Sequence, residues 1–291
     1  MTKSFLDINA KKTDIFLKKY LNQQKKSGLI SSMKYGSLSG GKKIRSSIIL
    51  GTGKLFNIKV NKLLNICAAV ECIHSYSLIH DDLPCMDNDR MRRGKLATHV
   101  KFGESTAILA GNSLLTLAFE MIVDKNYKIE DKVKIELIKN LALCSGHTGI
   151  AGGQYQDLSF ERKKKKFSVI IGMQRKKTGK LFNFCCFAAG AVAKKNIKQL
   201  KSLSKLGEDI GLLFQLTDDF IDFNGSKQLA GKLTKKDKKK GKSTLINLIG
   251  YQKANLFALQ LKRNILSKLK KHGKKANNLV NIVEFILNRN F

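Results

Sequence analysis

The sequence is short of the residues that punctuate β-structure. Its 291 residues include one proline, Pro84, and no tryptophan, and strand-length runs bounded by Pro/Gly turns are hard to find. Apolar residues instead recur at helical spacing almost from end to end, the pattern of amphipathic helices. No internal repeat or linker divides the chain. We therefore predict an all-α protein with a single domain over residues 1–291.

Acidic residues are also scarce. The 22 Asp and Glu face 55 Lys and Arg, which gives a formal net charge of +33. Such a balance can indicate a nucleic-acid or membrane partner. However, only eight of these cations are arginine, the lysines are spread over the chain, and no RNP or zinc-finger signature is present. We therefore predict no nucleic-acid partner.

Signals for secretion, membrane insertion and disulfides are missing as well. The N-terminus has no apolar signal core, and the longest apolar stretch, residues 181–193, is far shorter than the roughly 20 residues that span a bilayer. The six cysteines form no C-x-x-C pair, and several lie in apolar helical runs. We interpret them as small core residues in a reducing compartment. These features predict a cytoplasmic protein without stable membrane insertion.

Two aspartate clusters, at residues 81–87 and 218–222, lie on separate predicted helices. The first helix, residues 62–82, should stop close to Asp82 because Pro84 disfavours helical geometry at Leu83. The second helix, residues 202–223, carries two stripes. One is apolar and contains Leu203, Leu206, Ile210 and Leu213. The other is polar, resembles the wall of a cavity, and contains Glu208, Gly211, Gln215, Asp218 and Asp222.

Each cluster alone is also explained by acidic residues that cap a helix or face solvent. Both, however, lie at helix C-termini, where the helix dipole repels carboxylates, and a cation would neutralise them. Mg²⁺ binds through one or two carboxylates together with substrate phosphate oxygens. Asp218 and Asp222 share a face, and the residues after Pro84 can return Asp87 towards Asp81. We therefore predict a magnesium site.

Basic residues accompany these clusters. The glycine pair at residues 40–41 precedes cations that could wrap an anion, and residues 92–93 offer forked donors for phosphate. Three of the eight arginines, Arg45, Arg92 and Arg93, fall in these segments. The lysines at 163–166 read as a solvated connection. Those at 235–242 either connect helices or close over an anionic ligand.

Together these motifs strongly resemble the trans-isoprenyl diphosphate synthases. The matching stretches lie at residues 40–45, 71–87, 92–94, 153–158, 177–179, 214–222 and 241–244. Their order and spacing agree with the bacterial farnesyl diphosphate synthases over nearly the whole chain. The resemblance implies a helical bundle around a deep central cavity, the isoprenoid synthase fold, usually as a homodimer. It also implies head-to-tail condensation of an allylic diphosphate with isopentenyl diphosphate.

The resemblance also assigns roles by position. About three Mg²⁺ ions would be held by Asp81, Asp87 and Asp218, supported by Asp82, Asp219 and Asp222. The allylic diphosphate would be bound by Arg92, Lys177 and Lys232. The isopentenyl diphosphate would be bound by Lys42, Arg45, His74 and Arg93. The catalytic set would be Lys177, Thr178 and Gln215, with the oxygens of the last two facing a carbocation. One departure is Ser46, which stands where proline commonly follows the arginine and should loosen that loop.

Product length depends on Tyr76, five residues and about 7.5 Å before Asp81 along the helix. In the bacterial branch, an aromatic here with a two-residue insertion in the first cluster accompanies a C15 product. Either Pro84-Cys85 or Cys85-Met86 could be that insertion. The tyrosine would then form a floor that stops the growing chain. The alternative is that Tyr76 is an ordinary packed core residue.

Four other functions share parts of this pattern. A geranylgeranyl diphosphate synthase would have the same chemistry and a deeper cavity. A terpene cyclase needs neither the isopentenyl diphosphate residues nor both aspartate motifs in this form. A catalytically silent partner subunit would not need to retain both clusters. A nucleic-acid-binding protein on this fold would bind tightly and in a salt-dependent manner without prenyl transfer.

Overall fold

Helices make up nearly all regular structure in the computed structural model, which describes residues 2–161, 163–225 and 244–288. The α-helices are α1 (Thr2–Asn22), α2 (Gly28–Ser37), α3 (Ile44–Leu55), α4 (Leu64–Asp81), α5 (Thr98–Phe102), α6 (Glu104–Val123), α7 (Asp131–Ser145), α8 (Ile150–Ser159), α9 (Phe167–Gln174), α10 (Lys180–Val192), α11 (Ile197–Asn224), α12 (Leu245–Ile249), α13 (Tyr251–Lys270) and α14 (Asn277–Asn288). Short 3₁₀ turns lie at Val60–Lys62 and Gly273–Ala276. The predicted all-α class is confirmed.

The core is centred on α10, which is apolar apart from Lys180 and Asn183. Most of its side chains are buried, and Phe182 and Phe184 are among the largest completely buried side chains of the described chain. A helix without a polar face must be covered on every side. It packs against α11, α3 and α7, while α4 packs extensively against α6. The helices that carry the two aspartate clusters are thus each fixed by a broad apolar contact.

The two aspartate helices end as expected. Helix α4 stops at Asp81, with Asp82 as its C-cap. Helix α11 ends at Asn224, and Gly225 caps it in the left-handed conformation with φ 51°. Its start at Ile197 is earlier than the sequence predicted, because Asn196 and Gln199 form a reciprocal capping box. The predicted apolar stripe of α11 is buried throughout.

Two small elements were not predicted. A hairpin of β1 (Met91–Arg92) and β2 (Lys95–Leu96) follows the first aspartate cluster, with Met91 opposite Leu96. Its turn places Arg93 and Gly94 at φ 52° and 73°, which fits a two-residue turn of the type I′ class. A single π-helical turn, Arg175–Gly179, separates α9 from α10. Such turns often occur at functional sites.

Cysteine burial follows the prediction with one exception. Five cysteines are buried, whereas Cys85 is exposed in the loop of the first aspartate cluster, and all six are free thiols. The interpretation as core residues is therefore wrong for Cys85. It follows the end of α4 and Pro84, where the chain has left the core. The lysines at 163–166 do connect two helices, α8 and α9, as predicted.

One described helix, α6, is long and apolar enough to cross a membrane by length and composition alone, with a mean hydropathy of 1.6. The prediction from the sequence named residues 181–193 as the longest apolar stretch and did not include α6. In the fold, one face of α6 is buried and includes Ala110 and Leu114. Its other face exposes Ile108 and Leu109.

Candidate active site

The first aspartate cluster folds back on the end of α4. Pro84 follows the last helical turn, and the chain then returns so that the Asp87 N–H donates to the carbonyl oxygen of Asp81 at 2.8 Å. The Asp89 N–H similarly donates to the carbonyl oxygen of Asp82 at 3.0 Å. The predicted return of Asp87 towards Asp81 is therefore present in the backbone.

This return places two carboxylates in one partly buried region. Burial raises the pKa of Asp81 to about 6, the charge of Lys177 opposes this rise, and the charge of Asp87 adds to it. A carboxylate that is both dehydrated and next to another acid is costly to ionise. A bound cation would remove both penalties, so the donor set is suited to a hard metal ion such as Mg²⁺.

Asp82 has a different environment from its neighbour. Its two carboxylate oxygens accept from Nε of Arg92 at 3.0 and 3.2 Å, and Nη2 of Arg92 also donates to it. Asp89 lies 3.6 Å from the same guanidinium. Asp82 is nearly fully buried. Asp82 therefore fixes the position of the Arg92 side chain at the hairpin.

Arg93 connects the hairpin to the glycine pair before α3. Its guanidinium donates to the carbonyl oxygen of Gly40. A Cβ added to Gly41 would lie 2.8 Å from Cζ of Arg93, and Gly41 has a φ of 105°. The backbone conformation thus requires glycine at this position, and a side chain there would also displace the Arg93 guanidinium. Two motifs that are about fifty residues apart in sequence form one basic surface.

The centre of that surface is His74. Burial and the positive charges of Arg45, Arg93, Lys43 and Arg92, in that order, keep the pKa of His74 well below its usual range. The imidazole is therefore neutral at physiological pH. The positive charges around His74 repel one another, and an anion that binds among them would stabilise them.

Arg45 has a buried hydrogen-bond donor that no group in the described part of the chain satisfies. Its guanidinium lies over the rings of Phe182 and Phe214, at 4.8 and 5.9 Å. Its Nε is buried and has no hydrogen-bond partner. Buried polar groups are rarely left unpaired, so this donor fits an anionic ligand. Lys42, which the sequence predicted for the same group, has its Nζ 4.3 Å from the centroid of the Phe285 ring.

The π turn carries the predicted catalytic residues. Lys177 donates to Asp157 at 2.6 Å, and the Thr178 hydroxyl donates to Oε1 of Gln215 at 2.7 Å. Nε2 of Gln215 donates to Asp219 at 3.0 Å, and Nε2 of Gln174 donates to the other oxygen of Asp219 at 2.9 Å. Thr178 and Gln215 are therefore brought together as predicted.

Two residues of this arrangement, Asp157 and Gln174, were not predicted from the sequence. Asp157 lies in the motif at residues 153–158, so a signal for it was available. Gln174 had none, because its role depends on the π turn. The polar stripe of α11 is also divided. Glu208 accepts from Arg175 at 3.2 Å, and Gly211 packs against Gly179. Only the C-terminal part of the stripe, from Gln215 to Asp222, therefore belongs to the site.

Each of the two aspartate clusters interacts electrostatically with a cation of the site. The charge of Lys177 acts on Asp81, and the charge of Asp218 acts on Arg45. Within the described ranges, no three His, Cys, Asp or Glu side chains come together closely enough to hold a metal. Mg²⁺ retains waters and takes phosphate oxygens, so separate carboxylates suit it. Lys232 and the lysines at 235–242 lie outside the described residues.

Tyr76 is partly buried on α4 and packs against the core. Its ring meets that of His80 edge-on, with centroids 5.6 Å apart. Burial raises the pKa of its hydroxyl, and the charge of Asp81 adds to the rise. The phenol is thus neutral and bulky within reach of the first aspartate cluster.

Comparisons with known proteins agree with this geometry. The polyprenyl synthetase family model matches residues 26–283. The farnesyl diphosphate synthase of Escherichia coli (strain K12) is 40% identical over 90% of this chain and 89% of that protein. That of Micrococcus luteus is 35% identical over 100% and 97%. Geranylgeranyl pyrophosphate synthase 4 of Arabidopsis thaliana is 36% identical over 89% and 70%.

Two solved structures extend the comparison to the fold. The apo FPP/GFPP synthase from Zymomonas mobilis superposes with a TM-score of 0.88 at 34% identity, covering 98% of each chain. The geranyltransferase from Helicobacter pylori, complexed with magnesium and isoprenyl diphosphate, superposes with a TM-score of 0.83 at 31% identity. That match covers 99% of this chain and 96% of the other.

Proposed function

The chain belongs to the polyprenyl synthetase family, and we propose that the site described above carries out its farnesyl diphosphate synthase reaction. The enzyme is a prenyltransferase. It condenses dimethylallyl or geranyl diphosphate with isopentenyl diphosphate and forms the C15 product. The observation that carries the assignment of the site is the group of cations around neutral His74, where Nε of Arg45 is buried and unpaired.

The isopentenyl diphosphate binds to this group. The residues that receive its oxygens are Lys42, Arg45, His74 and Arg93. A guanidinium offers forked donors that match phosphate geometry, and a neutral imidazole can donate without adding charge. The phenyl rings beneath Arg45 keep its plane fixed, so the pocket is organised before the substrate arrives.

The allylic diphosphate binds on the side of the aspartate clusters. The residues assigned to it are Arg92, Lys177 and Lys232. Asp82 orients Arg92, and Asp157 orients Lys177, so each of these cations is held in place by a carboxylate. Asp81, Asp87 and Asp218 would hold about three Mg²⁺ ions, on which the family depends, and when bound these ions stabilise the charge of the departing diphosphate.

Thr178 and Gln215 face the reacting carbon. Asp219 accepts from the Gln215 amide, which directs the amide oxygen towards Thr178. The hydroxyl donates its proton to that oxygen, so its lone pairs are free to stabilise a carbocation electrostatically. Neither group is a strong base, and the surrounding helices exclude water that would quench the cation. The released diphosphate then accepts the proton lost in the final elimination.

Chain length is limited by Tyr76. Its partly buried ring lies on the same helix as Asp81, deeper in the bundle, and would block extension of the product. This supports a C15 product over the alternative, a geranylgeranyl diphosphate synthase with a deeper cavity.

We also propose a cytoplasmic homodimer in which residues 1–291 form one domain. Two helices expose large apolar side chains that a second copy would cover. They are Ile108 and Leu109 on α6 and Ile135 and Leu143 on α7, each between 41% and 64% exposed. Exposed apolar surface of this kind marks protein interfaces. The same pairing accounts for the apolar α6 without membrane insertion.

The direct test is incubation with dimethylallyl and isopentenyl diphosphates in the presence of Mg²⁺, followed by product-length analysis. We expect C15 farnesyl diphosphate, and no product when the metal is chelated. A C20 product would favour the geranylgeranyl alternative. Absence of any prenyl transfer would refute the proposed function, and salt-sensitive nucleic-acid binding without transfer would favour a different role.

A further inference from the structure

The first turn of α3 carries Arg45 but has no cap of its own. The N-cap residue is Lys43, which has a left-handed φ of 43° and makes no side-chain capping hydrogen bond. The first four N–H groups of a helix need partners from elsewhere. Leaving them unpaired in a buried region would cost stability and would let the turn move. The position of Arg45 therefore depends on a partner outside α3.

Glu71 of α4 is that partner. Its carboxylate is buried, and Oε1 accepts from the Ser46 N–H at 3.3 Å and from the Ser46 hydroxyl at 2.8 Å. The other oxygen, Oε2, lies 3.8 Å from Nζ of Lys43. A carboxylate at a helix N-terminus also interacts favourably with the helix dipole. Glu71 thus caps α3 from a neighbouring helix.

The same carboxylate is the main counter-charge of Arg45 and Arg93. Burial lowers the pKa of Arg45 and of Arg93, and in both cases the charge of Glu71 is the largest opposing influence. Arg45, Arg93 and Lys43 therefore share one buried acid, and Lys43 also lies 3.4 Å from Asp14. Removal of the charge of Glu71 would increase the mutual repulsion of these cations, which a bound anion or movement of the side chains would relieve.

We propose that Glu71 is a positioning residue for isopentenyl diphosphate, acting through the first turn of α3 and through Arg45 and Arg93, with Ser46 as its hydrogen-bonded link. The proposal rests on the proposed function of this pocket. Glu71 lies one helical turn before His74 on α4, so α4 supplies both a ligand of the pocket and the support beneath it.

Ser46 is a feature of this chain that the proposal explains. The family commonly has proline at this place, and proline has neither an N–H nor a hydroxyl to offer. Ser46 supplies both donors to Glu71, and its oxygen also lies 3.2 Å from the Cys67 carbonyl oxygen. Ser46 lies in the first turn of α3 and not in a loop as predicted, and hydrogen bonds to a buried charge counter the loosening expected from the loss of proline.

The test compares substrate dependence in Glu71→Gln and Ser46→Ala. Glu71→Gln keeps an acceptor for Ser46 but removes the charge. We expect the KM for isopentenyl diphosphate to rise about tenfold, the equivalent of about 1.4 kcal/mol. The KM for the allylic diphosphate should stay within about twofold, because Arg92 and Lys177 have their own carboxylates. Ser46→Ala should raise the isopentenyl KM about threefold.

The control variant is Glu120→Gln, which removes the charge of an exposed carboxylate on α6 that accepts from the Tyr20 hydroxyl of α1 at 3.1 Å. It should leave both KM values unchanged. Equal rises in both KM values for Glu71→Gln, or no rise, would overturn the inference. If Glu71→Gln fails to fold, an unchanged isopentenyl KM in Ser46→Ala would do so. Lack of prenyl transfer by the parent enzyme would instead refute the proposed function itself.

Discussion

Replacing Gly153 by alanine tests how closely the π turn must be placed. Gly153 lies in α8 where that helix contacts the backbone of the π turn. A Cβ there would lie 2.2 Å from the Lys177 nitrogen, 2.5 Å from its Cα and 2.8 Å from the carbonyl carbon of Lys176. All three atoms belong to the backbone, so no side-chain rotation can relieve the contact.

The magnitude follows from these distances. Ordinary contacts between such atoms are about 3.5 Å, so α8 and the turn must separate by roughly 1 Å. Lys177 and Thr178 would move with the turn, and a displacement of that size can lower the rate about 100-fold. Overpacking of this kind also costs about 1–3 kcal/mol of stability. Because Lys177 is bonded to Asp157 on α8, the separation also strains that ion pair.

The assay measures kcat for prenyl transfer together with thermal unfolding. Gly172→Ala is the matched control, because Gly172 lies in the adjoining α9 and a Cβ there would meet nothing within 4 Å. The control should retain its rate and gain about 0.5–1 kcal/mol of stability. A Gly153→Ala variant that keeps kcat within about threefold of the parent would refute the reasoning, and so would an equal loss in the control.

Substitutions of Tyr76, Asp218 and Asp209 test three other features of the structure. Tyr76→Ala should shift the products beyond C15 in a chain-length analysis, and unchanged C15 output would contradict the floor. Asp218→Asn should raise the Mg²⁺ concentration needed for half-maximal activity about tenfold or more, with little change in thermal unfolding, whereas an unchanged Mg²⁺ titration would remove Asp218 from the metal site. The third prediction concerns Asp209, which accepts from Lys268 at 2.9 Å and from Arg175 at 3.0 Å. Burial alone would raise the pKa of Asp209, but these cations hold it below its usual range. The stabilising contribution of Asp209 is therefore present at neutral pH and lost as pH falls through that lowered pKa. Asp209→Asn should lower the free energy of unfolding by about 1–3 kcal/mol at pH 7, and its stability should fall less than that of the parent on acidification. Equal acid sensitivity of the two proteins in unfolding experiments would contradict this.

Much of the site could be predicted because its signals are local. Pro84 ends α4 by a steric effect on Leu83, and the return of Asp87 follows within six residues. The apolar stripe of α11 has helical spacing, so its buried face and the direction of Asp218 follow from the chain itself. The capping box at Asn196 was equally local and could have placed the start of α11.

The sequence by itself thus determined the helical class, the aspartate helices and the family, because periodicity, helix stops and motif order are carried by nearby residues. Only the tertiary structure decided that Asp82 holds Arg92, that Gly41 makes room for Arg93, and that Glu71 caps α3. These contacts join residues far apart in the chain, and no spacing rule relates them. The π turn belongs to the same group, because its register depends on packing between helices rather than on the residues within it.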